Sequence, residues 1–545
     1  MREIALPNLD AGVATRKIKK GFAAAPAVVV LLSACAVGPN FLRPDPPNNA
    51  GYSPKSLPTK TASASVYGGD VQHFVEGRDV PFDWWTTFQC PALNSLVERA
   101  LRANPTVEQA KAALQQAQEY VYAQQGYFYP TVQANYQYAH YKVAGNLANS
   151  VAPGVQGNGT AIVAFQNPTN NPIAPGARHN KPLYYAFHTA QLTVGYSPDV
   201  FGLNRREVES LEAQAAVQRY ELEATYITLA ANVVAAAIQE VSVRTQIAAI
   251  KEIIEINTKG LELLRAQQKA GYAMGIDVAA QEAALAAAKA LLPPLESQFE
   301  QTRDLIRALV GNLPNEDVDQ KFELSSLHLP TDLPLSIPSK LVAQRPDVAA
   351  AEEQLRAANA EIGIAVANRL PIFSLTGAAG GTATIFDQMF APGGPFWTII
   401  GNVAGTVFDG FTLLHQERAA DQALYQAAAQ YRSTVIAAYE NVADTLHALV
   451  SAADELSAAN EAERAAKKTL DLTRAQKVGG YVNYLVLLQA EQAYEQALLT
   501  LVQAQTTRFG DTAALFEALG GGWWNRKSDV AEDETAKPLN HSKAP

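Results

Sequence analysis

The sequence predicts a mainly α-helical protein with membrane β-structure. Its long helices suit a coiled-coil barrel, and each chain carries four β-strands that several chains must close together. Three observations predict this. The chain repeats itself in two halves, each half switches in the same order between helical and alternating periods, and both halves lie behind an export signal.

Composition narrows the classes first. The 545 residues are 48% apolar, enough to bury a large core. A formal charge of -10 leaves no basic surplus to neutralise phosphates, which argues against a nucleic-acid partner. Two cysteines supply neither a disulfide scaffold nor a thiolate metal cage. No uninterrupted apolar run long enough to span a bilayer follows the N-terminal region, so a polytopic helical membrane protein is excluded.

Residues 1–34 read as a lipoprotein signal peptide. Basic Arg16–Lys20 precedes an apolar stretch from Phe22 to Leu32, which ends at Leu32-Ser33-Ala34-Cys35. Cleavage before Cys35 would leave it to carry lipid and hold the new N-terminus at a bilayer. Residues 35–81, rich in Pro and Gly, read as an extended tether, and the polar tail 525–545 as disordered. Cys90 reads as a buried, inert thiol.

The first repeat is expected over 82–311 and the second over 340–524, joined by a linker at 312–339. An offset of 209 places Gly271-Tyr272 on Gly480-Tyr481, Glu282 on Glu491 and Gly311 on Gly520. Upstream the offset is 241, aligning Pro105 with Pro346 and Pro130 with Pro371. The 32-residue difference has its home in the Gly/Pro/Asn-rich Ala144–Lys181.

Within each repeat a helix comes first, at 105–125 and 346–368, with Pro at its first position. A β-hairpin follows, at 130–200 and 371–408. Gln133, Asn135 and Gln137 alternate with Val132, Ala134, Tyr136 and Tyr138; Gln191 and Thr193 alternate with Leu192, Val194 and Tyr196. In the second hairpin Asn402 opposes Trp397, Ile399 and Val403, while Ile400 breaks the rule and Phe373–Gly377 is a weaker partner. Long helices are expected at 204–268 and 411–477. At 1.5 Å per residue the first reaches about 100 Å, and its heptad-like seam is apolar at 12 of 17 positions. Return helices at 276–311 and 484–519 follow turns near Gly271–Gly275 and Gly479–Asn483, and Pro293-Pro294 should interrupt or kink the first of them.

A four-stranded sheet cannot close alone, and an open edge is not tolerated in hydrocarbon. Several chains must therefore share one barrel. Gln133, Asn135, Gln137, Gln191, Thr193 and Asn402 would line its lumen, with Tyr136, Tyr138, Tyr196 and Trp397 outside.

These residues resemble the TolC/OprM/NodT outer-membrane factors of efflux and export systems. The resemblance is carried by Ala34-Cys35-Ala36-Val37-Gly38-Pro39-Asn40, Trp84-Trp85, Asn104-Pro105, Tyr196 to Phe201-Gly202, Arg345-Pro346-Asp347-Val348, Val407-Phe408-Asp409-Gly410 and Ala518-Leu519-Gly520-Gly521-Gly522-Trp523. It spans nearly all of the mature chain. It implies a homotrimer with a trimeric 12-stranded barrel in the outer membrane, above a periplasmic helical tunnel with a mixed α/β belt. It also implies a periplasmic adaptor and an inner-membrane pump of the resistance-nodulation-division (RND) type as partners. The tunnel would close at its periplasmic tip, where Gly271, Tyr272, Asp277, Gln476, Lys477, Gly480, Tyr481, Asn483 and Tyr484 cluster. The second turn, Gln476-Lys477-Val478-Gly479-Gly480, has Gln and Gly where relatives commonly carry Arg and Asp, a departure from the usual acidic ring.

No catalytic pattern appears: the histidines form no i, i+4 pair, and no HExxH, P-loop or GxSxG occurs. The expected function is a passive conduit for drugs or other small molecules, with no cofactor beyond the lipid on Cys35. The alternatives are a duct for type I secretion or polysaccharide export, and a lipid-anchored structural coiled-coil protein.

Overall fold

The computed structural model describes residues 36–45, 51–54, 58–143, 183–336 and 338–526. The signal 1–34, Cys35, the insertion 144–181 and the tail beyond Arg526 lie outside the described residues.

The elements run in chain order as β1 (His73–Glu76), α1 (Pro91–Ala103), α2 (Pro105–Gln125), β2 (Thr131–Val143), β3 (Leu183–Tyr196), α3 (Leu203–Lys269) and α4 (Gly275–Leu309). Then come β4 (Asp332–Leu335), α5 (Pro338–Gln344), α6 (Pro346–Ala367), β5 (Ile372–Ala383), β6 (Pro395–Ala404), α7 (Thr412–Val478) and α8 (Tyr484–Ala518). Both long helices have 67 residues and both return helices 35.

Two compact units form, each drawing on both halves of the chain. Among the described residues, one holds 36–39, 124–207 and 362–417; the other holds 40–123, 208–361 and 418–526. In the first unit β2, β3, β5 and β6 make one four-stranded antiparallel sheet in that order. The second hairpin differs from expectation. β5 runs on through Ala378-Ala379-Gly380-Gly381 to Ala383, whereas the sequence suggests a strand over Phe373–Gly377 only. Small residues are poor strand formers by themselves, but the neighbouring strand requires one here: a Cβ on Gly380 would stand 2.2 Å from the Ala190 carbonyl oxygen and 2.7 Å from the Gln191 Cα.

The second unit has its core where α1, α3, α4 and α8 meet. Trp84 stacks on Phe516 at 5.3 Å, and Phe88, Leu93, Leu96, Val234, Ile306 and Phe509 are buried around them. Cys90 is buried with its sulfur 3.7 Å from Ser326 Oγ. The most apolar window of α3 is mostly buried in this unit, so its hydropathy reflects packing and not lipid contact. Pro293 and Pro294 do not interrupt α4. The carbonyls they orphan belong to exposed Lys289 and Ala290, where water can satisfy them.

Two segments assigned to tether and linker belong to this core. β1 pairs in parallel with β4, so part of 35–81 and part of 312–339 form one small sheet. Fully buried Arg508 of α8 donates to Thr61 Oγ1 at 3.1 Å and to the Ala62 and Asp70 carbonyls, fastening residues 61–70. Linker-like composition records the solubility of a segment and does not reveal that a distant helix satisfies its backbone. Asn525 and Arg526 also belong to the fold and not to a loose tail: Asn525 donates to Asp79 Oδ2 at 2.9 Å, and Arg526 pairs with Glu223.

Candidate functional site

The four-stranded sheet sorts side chains by face. Register sets Gln133 opposite Thr193 and Asn135 opposite Gln191, continues Thr193 to Ala378 and Ala378 to Thr398, and sets Ser374 opposite Asn402. Directly opposed residues share a face and alternate residues along a strand return to it. Gln133, Asn135, Gln137, Gln191, Thr193 and Asn402 therefore lie on one face, joined by Thr189, Thr376 and Thr382 and interrupted by apolar Phe187, Phe396 and Ile400. The opposite face carries Val132, Tyr136, Tyr138, Leu192, Leu375, Trp397, Ile399 and Val403, all of them exposed. His188 is set into this apolar face, its Nδ1 2.9 Å from the Tyr136 hydroxyl and its ring 4.8 Å from that of Tyr138. β2 and β6 are the edges of the sheet, each paired on one side among the described residues.

The turns between long and return helices are built alike. In the first, the Tyr272 amide donates to the Gln267 carbonyl at 2.8 Å and the Gly271 amide to that of Gln268 at 3.0 Å. In the second, Tyr481 donates to Gln476 at 3.0 Å and Gly480 to Lys477 at 3.1 Å. Both are Schellman closures, which require a left-handed residue after the helix. Gly271 and Gly480 supply it with φ of +81° and +78°. Tyr272 and Tyr481 project from the tips, each 86% exposed. Asp277 accepts from the Met274 amide at 3.3 Å and so caps α4, while the Asn483 side chain accepts from Val486 and caps α8. An ion pair also recurs at the 209-residue spacing: Arg265 with Glu282 at 2.7 Å, and Arg474 with Glu491 at 3.3 Å.

Above the turns a buried polar network ties three helices. The Gln281 amide of α4 donates to both the carbonyl and Oδ1 of Asn257 in α3, each at 2.9 Å. Tyr484 of α8 donates its hydroxyl to Gln281 Oε1, and Asn257 donates to Glu495 Oε1 at 3.3 Å. Lys477 lies 5.7 Å over the Tyr484 ring. Burial raises the pKa of Tyr484, so the phenol stays a donor; burial also raises the carboxyls of Glu491 and Glu495. The network joins Tyr484 to Asn257, Gln281 and Glu495, which sequence reasoning did not single out as functional. Asn257 did leave a signal, as a polar interruption of the α3 seam; Gln281 left none.

Arg345-Pro346-Asp347 is a structural corner. Arg345 donates to the Ala518 carbonyl at 2.7 Å and to Asn441 Oδ1 at 3.0 Å, and Asp347 accepts from the Val348 amide at the start of α6. No group of three or more His, Cys, Asp or Glu suited to a metal occurs among the described residues.

Comparison with known proteins places this arrangement. The family model described as outer membrane efflux protein matches residues 96–312 and 337–521. A pyoverdine export outer membrane protein, OpmQ of Pseudomonas putida, is 24% identical over 81% of this chain and 88% of its own length. The toluene efflux pump outer membrane protein TtgF of P. putida is 24% identical over 92% of this chain and 97% of its own. Among solved structures, the Campylobacter jejuni CmeC outer membrane channel superposes with a TM-score of 0.76 at 20% identity, covering 92% of this chain and 98% of that one. The chain therefore belongs to the outer membrane efflux protein family, whose members are channels of the Gram-negative outer membrane and not enzymes.

Proposed function

We propose that three copies of this chain form the outer-membrane conduit of a tripartite efflux system. The observation that carries the reading is the sheet: one face polar, the other apolar and exposed, with two edges left open. An apolar patch of this extent marks a lipid or protein contact, and open edges survive in hydrocarbon only when closed into a barrel. Three copies would give twelve strands, with Gln133, Asn135, Gln137, Gln191, Thr193 and Asn402 facing water and Trp397 and the tyrosines facing lipid. The first three protein residues to follow Cys35 are pinned beside the sheet, which supports acylated Cys35 as a second attachment to the outer membrane.

Transport would be driven by partners, an RND pump and a periplasmic adaptor, as the likeness to efflux-pump outer membrane proteins supports. These would act at the helix tips, where the Asn257–Gln281–Tyr484 network holds the two hairpins together until it is broken. The relatives' names attach them to pyoverdine and to toluene, cargoes that share little chemistry. A wide wet duct that reads size and charge only loosely fits this breadth, and small molecules as a class are the cargo proposed here.

The test is reconstitution of the purified full-length protein in planar bilayers, with mass measurement of the detergent-extracted particle. Three chains per particle and discrete conductance steps are expected. A monomer without conductance would support a structural envelope protein instead, and conductance with unchanged drug sensitivity on deletion would redirect the reading to secretion or polysaccharide export.

A further inference from the structure

The sheet unit contains a cavity of about 420 Å³ at the base of the strands, within the size range of small-molecule sites. Tyr127, Phe201, Pro371, Ile372 and Phe373 line it, with the Phe201 and Phe373 rings 6.2 Å apart. One polar group in its lining is unspent. Asn204 is 91% buried; its Oδ1 accepts from Gln124 at 2.7 Å, while its Nδ2 has no partner. Gln124, Ser197, Asp199 and Glu207 share the lining but are bonded within the protein, so a chamber with apolar walls and one idle side-chain N–H donor remains, which suits an acyl chain that ends in a carbonyl.

The chain itself carries a candidate to this place. The Val37 amide donates to the Phe201 carbonyl at 3.0 Å, and Arg206, only 3% exposed, donates to the Val37 carbonyl at 3.0 Å and the Gly38 carbonyl at 3.2 Å. Two glycines permit this approach. A Cβ on Gly202 would lie 2.5 Å from the Ala36 Cα, and one on Gly38 2.5 Å from the Gly363 Cα. The corner that grips residues 36–38 is thus the same corner that supplies Phe201, Leu203 and Asn204 to the cavity. Cys35 is the residue before Ala36, one peptide unit of about 3.8 Å away.

We propose that this cavity seats one acyl chain of the lipid carried by Cys35, with Asn204 Nδ2 donating to its carbonyl. The inference rests on the lipidation proposed above. Its consequence is that the anchor is docked to the base of the sheet and is not merely dissolved in the bilayer beside it.

The experiment places a photoreactive benzophenone residue at Tyr127 or, separately, at Ile372, positions 66% and 53% exposed that tolerate a bulky aromatic. A third protein carries it at exposed Trp397 on the apolar face as a control for bulk lipid. Full-length protein from cells fed an alkyne-tagged palmitate is irradiated in membranes, digested and analysed by mass spectrometry. The expected product from positions 127 and 372 is a peptide joined through the acyl chain to the N-terminal Cys35 peptide, with position 397 taking up phospholipid. Adducts of phospholipid only, or no adduct, at both cavity positions would overturn the proposal. An N-terminal peptide without acyl mass would instead overturn the lipidation it rests on, and the two failures are read from different peptides.

Discussion

Arg508 is fully buried and bonded to carbonyls and a hydroxyl, and burial lowers its pKa, the Asp70 charge offsetting only part of the desolvation. Replacing it by Met keeps the packing volume but leaves the Ala62 and Asp70 carbonyls without their donor, while Thr61 Oγ1 keeps the Gln72 amide at 3.0 Å. About 1–3 kcal/mol is expected for each acceptor left dry. Arg508→Met should therefore lower the denaturation midpoint and expose residues 61–72 to protease, while the sheet unit stays intact. Burial also holds the Glu491 and Glu495 carboxyls above their ordinary range. The packed tip retains protons that separated helices would release, so its stabilisation is complete in acid and is lost as pH rises through the packed-state values. Channel opening should become rarer as the bath is acidified from neutrality. Glu495→Gln keeps the acceptor for Asn257 and removes one titration, so it should flatten that pH profile in single-channel recordings. Tyr484→Phe deletes one bond of the network, worth about 1 kcal/mol, and should raise open probability roughly fivefold at neutral pH.

At the scale of the element, the strongest constraint lies in β5. Gly380 faces the β3 backbone so closely that no side chain fits without parting the strands. Gly380→Leu is expected to abolish the heat-resistant oligomer on gels, whereas Gly401→Ala in β6, with nothing within 4 Å of an added Cβ, should leave it unchanged. The glycine-rich composition of Ala378–Gly381 conceals a strand because β propensity measures side-chain packing, and here the packing partner is a backbone. The helices behave differently. The pre-hairpin helices start at Pro105 and Pro346 as their sequence predicts, and the long helices end just before Gly271 and Gly479, signals that act through local backbone geometry. The twin Schellman turns and the recurrent Arg–Glu pair are local in the same sense, which is why one offset in the sequence finds them.

For the molecule as a whole, cross-linking at the open edges offers a direct check on assembly. Cysteines introduced at Gln133 in β2 and Asn402 in β6 lie on the two edge strands, and should join neighbouring chains into covalent trimers if β6 of one copy pairs with β2 of the next. Dimers that never progress to trimers would contradict a closed threefold ring. Legible in the sequence alone were the pre-hairpin, long and return helices, the alternation of the strands and the two turns. These depend on contacts a few residues apart, or on a repeated pattern that any chain can be tested against. Only the tertiary structure decided that the supposed tether and linker share a sheet, that Arg508 fastens the one while Asn257 and Gln281 meet Tyr484, and that residues 36–38 are held beside a cavity. Each of these joins residues far apart in sequence through a hydrogen bond or a close backbone approach, and no local periodicity records which distant partner satisfies a buried polar group.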